Sequence, residues 1–155
     1  MDVRKCVAPL LAAGVFLVAF AARGEETGVY ERIVKAPDLL WDNCTECHEL
    51  DWPLGKTATR SEWEETLQKM ENTGAVLDQG DKASILDYLV AKSLFETRCT
   101  VCHGKEESLT VRKNREEWSK TVQDMVDRKP ESFAAGEKEA IAGYLAVERG
   151  PEESQ

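Results

Sequence analysis

The pentapeptides Cys44-Thr-Glu-Cys47-His48 and Cys99-Thr-Val-Cys102-His103 place two thiols three residues apart and an imidazole directly after the second. On a helical turn, positions i, i+3 and i+4 share one face, so the three groups of each motif point at one ligand. Two thiols so placed reach the two vinyl groups of a single porphyrin, and the histidine reaches its iron from the same side. A single Cys-x-x-Cys is also met in zinc sites and thioredoxin-like redox motifs. Here two copies each carry the histidine, and the reading is two covalent c-type haems with His48 and His103 as proximal iron ligands. A zinc site using all four cysteines leaves both histidines unexplained, and a thioredoxin motif needs a β-α-β setting for which the chain gives no sign.

The second axial ligand follows from what remains. Both histidines of the chain lie in the motifs, so bis-histidine ligation within it is excluded. Met70 and Met125 each stand 22 residues beyond their own motif histidine. A methionine at helical spacing usually fills an apolar stripe; the recurrence at one fixed distance favours ligation instead. Lysine ligation, or an open position on one iron, is the alternative. His/Met coordination raises the potential relative to bis-histidine haem and leaves no position for a substrate, which is the chemistry of electron transfer.

Around these residues the chain repeats itself. An offset of 55 residues pairs Leu54 with Leu109, Arg60 with Arg115, Trp63 with Trp118 and Met70 with Met125; after one inserted residue an offset of 56 pairs Ile85 with Ile141, Tyr88 with Tyr144 and Leu89 with Leu145. Two homologous modules in tandem account for this. Trp63, Leu67 and Met70, like Trp118, Val122 and Met125, fall at i, i+4 and i+7, one face of a helix. Trp63 and Trp118 pack against the haem edge, donate an indole N–H to a propionate, or fill the core; Arg60 and Arg115 pair with propionates or point to solvent. Pro37 is expected to start a short helix into the first motif, a second helix begins near Ser61 or Glu116, and a third follows Gly80 or Gly136. Tyr88 and Tyr144 are expected to pack that third helix against the haem and the first helix. Residues 90–98 hold no Pro or Gly, so the last helix of the first module should run into the first helix of the second.

The predicted organisation is a signal peptide over 1–21, a loosely held lead-in over 22–35, cytochrome-like modules over 36–91 and 92–149, and a disordered tail over 150–155. Asp2, Arg4 and Lys5 precede an uncharged run from Cys6 to Ala22, with a small-x-small cleavage site at Ala19-Phe20-Ala21. Export to the periplasm follows, or anchorage to the inner membrane if the segment stays uncleaved; the pair Arg4-Lys5 before Cys6 does not suit a lipoprotein site. Losing residues 1–21 moves the formal net charge from -9 to -10. An acidic chain disfavours nucleic acid and anionic lipid, and suits a redox partner with a basic docking face. The fifth cysteine, Cys6, lies in the leader, so no thiol is left over for a disulfide, and two small cores would lean on their macrocycles for stability.

Together the motifs, the methionines and the closing Tyr88-Leu89 and Tyr144-Leu145 pairs resemble the small class I c-type cytochrome domains, over about residues 36–148. The stretches around Trp63 to Met70 and Trp118 to Met125 are similar to the short bacterial variety, including dihaem forms that serve dehydrogenases. The resemblance implies an all-α fold of two tandem domains of about three helices each, one covalent haem per domain, and outer-sphere electron transfer between a dehydrogenase or reductase and an acceptor rather than catalysis. Two departures are visible: the methionines sit on or at the end of a helix instead of in a long loop, and Pro53 of the first module is Ser108 in the second. A peroxidase or gas sensor, the competing function, would require one iron to lose its methionine.

Overall fold

The computed structural model describes residues 12–151, with side chains from residue 28 onward. The cleavage site and most of the tail lie outside the described residues or their described side chains. Among the described residues the fold is all helix with no strand: α1 Ala12–Cys44, α2 Asp51–Gly55, α3 Arg60–Asn72, α4 Gln79–Arg98, α5 Lys105–Leu109, α6 Arg115–Arg128, a 3-10 turn Pro130–Ser132, and α7 Glu137–Glu148. No described helix is long and apolar enough to cross a membrane.

Local chemistry explains where the helices begin. Thr59 and Asn114 cap α3 and α6 with reciprocal boxes: the Glu62 carboxylate accepts from the Thr59 N–H at 2.8 Å, and the Glu117 carboxylate from the Asn114 N–H at 2.9 Å. These hydrogen bonds hold Glu62 below the usual carboxylate range. Asp78 opens α4 by accepting from the Asp81 N–H at 2.8 Å. At the matching start of α7 Gly136 takes a left-handed φ of 83°, a conformation that suits glycine.

One expectation about the N-terminal part is corrected: Pro37 does not start a helix; it lies inside α1. Within the lead-in over 22–35, side chains are described from residue 28, and there Ile33, like Ala36 just after the segment, is fully buried, with Val29 packed beside it. Val29, Ile33, Ala36 and Leu40 fall at i, i+4, i+7 and i+11, a continuous apolar stripe, and its burial carries α1 past a proline that removes one helical hydrogen bond.

That stripe lies against both α4 and α7, which also pack on each other. The expectation for residues 90–98 holds, since α4 runs unbroken through them and serves as last helix of one repeat and first of the next. The boundary at 91/92 therefore falls inside a helix. Instead of two small cores there is one contiguous cluster: α1, α4 and α7 form the centre, with Trp63 and Leu67 entering from α3 and Trp118 and Val122 from α6.

The repeat symmetry breaks where α1 meets the two modules. Asp87 on α4 is buried and takes ion pairs from Arg32 (2.6 Å) and Arg60. Its counterpart on α7 is Gly143, where an added Cβ would lie 3.2 Å from Ile33 Cδ1, so the missing side chain lets α1 come close. Tyr88 and Tyr144 meet edge to face, ring centroids 5.5 Å apart, and the Tyr88 hydroxyl donates to Glu148 at 2.6 Å. Tyr144 also touches Phe95, which leads into the second motif. Burial first, and then Glu148, push both phenols far above their ordinary pKa.

Candidate cofactor sites

Both pentapeptides begin where a helix runs out. Cys44 is the last residue of α1, and the His48 N–H still reaches the Cys44 carbonyl at 3.4 Å; Cys99 follows α4, its N–H bonded to Phe95 O at 3.0 Å. Each motif thus winds on past a helix end and leaves its second cysteine exposed while the first is half-buried. Burial raises the Cys44 thiol and pushes Cys99 up to about 11, so the inner thiols are poor thiolate nucleophiles of the kind a redox-active Cys-x-x-Cys requires. In the haem-free chain, alkylation at pH 8 is expected to label Cys47 and Cys102 first and Cys99 last. Mass spectrometry of a time course checks this, and simultaneous labelling would mean that the packing around Cys99 does not persist without a cofactor.

The histidines are prepared in the same way in both motifs. His48 Nδ1 lies 2.9 Å from Glu49 O and His103 Nδ1 lies 3.3 Å from Gly104 O. A carbonyl only accepts, so Nδ1 is the donor, and in the neutral imidazole that leaves Nε2 as the nitrogen whose lone pair can bind a metal.

The second motif opens onto a cavity of about 920 Å³, whose lining includes Cys99, Cys102 and His103, with Met125, Trp118 and Val122 also on its walls. Its size is at the upper end of the ~300–1,000 Å³ of small-molecule and cofactor sites. Two thiols, an imidazole and a thioether around one largely apolar space are the donor set of a covalent His/Met haem, and the residues present fit that group. Among the described residues no three of His, Cys, Asp and Glu come together as a metal-binding cluster.

Met70 and Met125 stand on the last turns of α3 and α6. Trp63 and Leu67 on the same face of α3 are buried, as are Trp118 and Val122 on α6, yet each methionine is only half-buried. They sit at the margin of the core rather than within it.

Of the alternatives open for the tryptophans the structure shows core packing, and the arginines meet protein partners. Trp63 Nε1 donates to Ser93 Oγ at 3.0 Å, and Trp118 Nε1 to the Arg149 carbonyl at 3.1 Å, so neither indole N–H is left for a propionate. Both rings are core residues, and Trp118 is also a cavity wall. Ser93 and Arg149 are equivalent positions under the offset of 56. After α7 has ended, the Arg149 carbonyl is available to the indole; α4 continues past residue 93, and there the serine hydroxyl takes that part. Arg60 is engaged by Asp87, and the Arg115 guanidinium lies over the Tyr30 ring at 4.0 Å. Both tie neighbouring helices together, and Arg115 does not line the cavity.

Two lysines went unnoticed in the sequence. Lys56 Nζ stands 4.8 Å from the centroid of the Trp63 ring and donates to Thr66 Oγ1 at 3.2 Å. Lys113 Nζ stands 5.1 Å from the Trp118 ring and donates to Thr121 Oγ1 at 2.7 Å. They are not paired by the repeat, which sets Lys56 against Val111 and Ala58 against Lys113, so no alignment of the modules would reveal them.

Compared with protein-family models, curated proteins and solved structures, the chain matches none.

Proposed function

We propose that this chain is an exported dihaem c-type cytochrome that carries electrons by outer-sphere transfer, with one haem at each pentapeptide and His/Met axial ligands. The observation that carries the reading is the cavity in which Cys99, Cys102, His103 and Met125 meet around one apolar space. The repeat extends it to Cys44, Cys47, His48 and Met70, which hold the same sequence relations.

Bound haem supplies a one-electron iron couple at a potential raised by the thioether ligand. The cysteines would hold the macrocycle at the ends of α1 and α4. His48 and His103, each with Nδ1 on a backbone carbonyl, would offer Nε2 to the metal. Met70 and Met125 would supply the second ligand and so keep substrates and oxygen from the metal. Trp118 and Val122, on the cavity wall, would exclude water from the site. Because α4 closes the first repeat and carries the second motif at its end, the two repeats share one continuous helix, an arrangement that favours internal exchange over independent movement. The acidic surface suits a basic docking face on a donor or acceptor in the periplasm.

The test is the absorption spectrum of the protein expressed in a periplasm, oxidised and reduced, with a pyridine haemochrome assay. Two c-type haems per chain with the far-red band of methionine-to-ferric-iron ligation scaled to both are expected. Colourless protein that binds zinc would overturn the reading, and two haems with high-spin features would replace it by a peroxidase or sensor.

A further inference from the structure

We infer that Lys113, and Lys56 in the first repeat, are the residues that hold the haem propionates, an inference that rests on the haem reading above. A haem is an apolar ring that carries its two carboxylates on the edge away from the vinyl groups through which cysteines bind it. A site for it needs a cation at the far side of the apolar wall from its cysteines, because a carboxylate at the edge of such a pocket is costly unless it is paired.

Lys113 has the properties of that cation. It lines the cavity of the second motif, is half-buried, and has its ammonium over the Trp118 ring with one donor on Thr121. Among the described residues neither Lys113 nor Lys56 has a carboxylate within ion-pair distance. An ammonium has three donors, and each lysine spends only one on a neutral hydroxyl. Three other cations stand on the cavity wall: Arg98 is committed to Glu137 through two hydrogen bonds of 2.9 and 3.0 Å, Lys129 Nζ lies 3.9 Å from Cys102 Sγ, at the thioether edge, and Arg128 is exposed in the last turn of α6, the turn that carries the methionine.

The two modules reach this arrangement from different sequence positions. Lys56 is ten residues before its threonine and Lys113 eight before its own, yet both ammonium groups arrive over the tryptophan ring and on the same threonine of α3 or α6. Inheritance of one repeated lysine does not explain that; a common need for positive charge at one point of each site does.

The test uses the haem-loaded full-length protein and reads the reduction potentials of the two haems by spectroelectrochemical titration. Removing the lysine leaves an uncompensated propionate charge, which favours ferric iron. Lys113→Gln is therefore expected to lower the potential of one haem only, by a shift equivalent to about three- to tenfold in its reduction equilibrium. Lys56→Gln is expected to lower the other. Lys113→Arg, which keeps the charge, should restore the wild-type value, and Lys138→Gln, outside the cavity, should move neither. Unchanged potentials in Lys113→Gln and Lys56→Gln, or equal shifts in Lys113→Gln and Lys113→Arg, with both haems attached, would overturn the inference alone. Wild-type protein without covalent haem would instead overturn the electron-carrier reading beneath it.

Discussion

Met125→Ala is expected to keep both haems covalently attached and to lose half of the far-red band, with the reduced protein then taking up one carbon monoxide per chain. Met70→Ala should do the same at the other haem, and the double variant should lose the band entirely. On the proposed haem reading, the physical basis is the distinction between attachment and ligation: the thioether bonds would belong to the cysteines, and the methionine would contribute only the sixth ligand. Each methionine sits half-exposed on the last turn of its helix, past the buried tryptophan and the Leu67 or Val122 beside it, so truncation opens the site without removing a core side chain. A full far-red band in Met125→Ala would show that the methionine merely edges the core.

Trp63→Ala carries the largest expected cost in stability. The side chain is fully buried, donates its N–H to Ser93, and lies beneath the Lys56 ammonium. Truncation empties the space between α3 and α4 and removes one of the two N–H donors to the Ser93 hydroxyl, the other being Ala58 N–H, which by analogy with large-to-small core changes amounts to roughly 3–5 kcal/mol. Trp63→Phe keeps most of the volume and loses the hydrogen bond, with an expected cost of about 1–2 kcal/mol. Denaturant unfolding of the haem-loaded proteins checks both, and equal costs for the two variants would mean that the indole N–H, not the ring volume, is what the core requires. Ser93 supplies the acceptor because it sits mid-helix, where no free carbonyl is available to the indole.

The contiguous core also changes the expectation for the haem-free chain. Read as two separate modules, each half has too little apolar surface to fold alone. In the structure α1 buries one stripe against α4 and α7 together, so the modules share their central layer. Protection of Cys99 from alkylation reports on that layer directly.

Residue type and spacing alone made the all-helical character legible, and they supply the repeat, the two Cys-x-x-Cys-His motifs and the fixed distance from each histidine to a methionine on which the haem proposal rests. All of these depend on short-range periodicity, on which residues fall three, four or seven positions apart. The unbroken α4 was legible for the same reason, from a stretch without Pro or Gly. What only the tertiary structure decided depends on contacts between distant segments. Pro37 reads as a helix start locally, yet burial of Ile33, Ala36 and Leu40 outweighs its missing hydrogen bond. Arg60 and Arg115 recur in the repeat, but a repeated position does not specify its partner: one meets Asp87 and the other Tyr30, because α1 lies against both modules and has no counterpart of its own. Lys56 and Lys113 are the converse case, equivalent in space and not in sequence, since a flexible four-carbon side chain reaches one point from backbone positions two residues out of register.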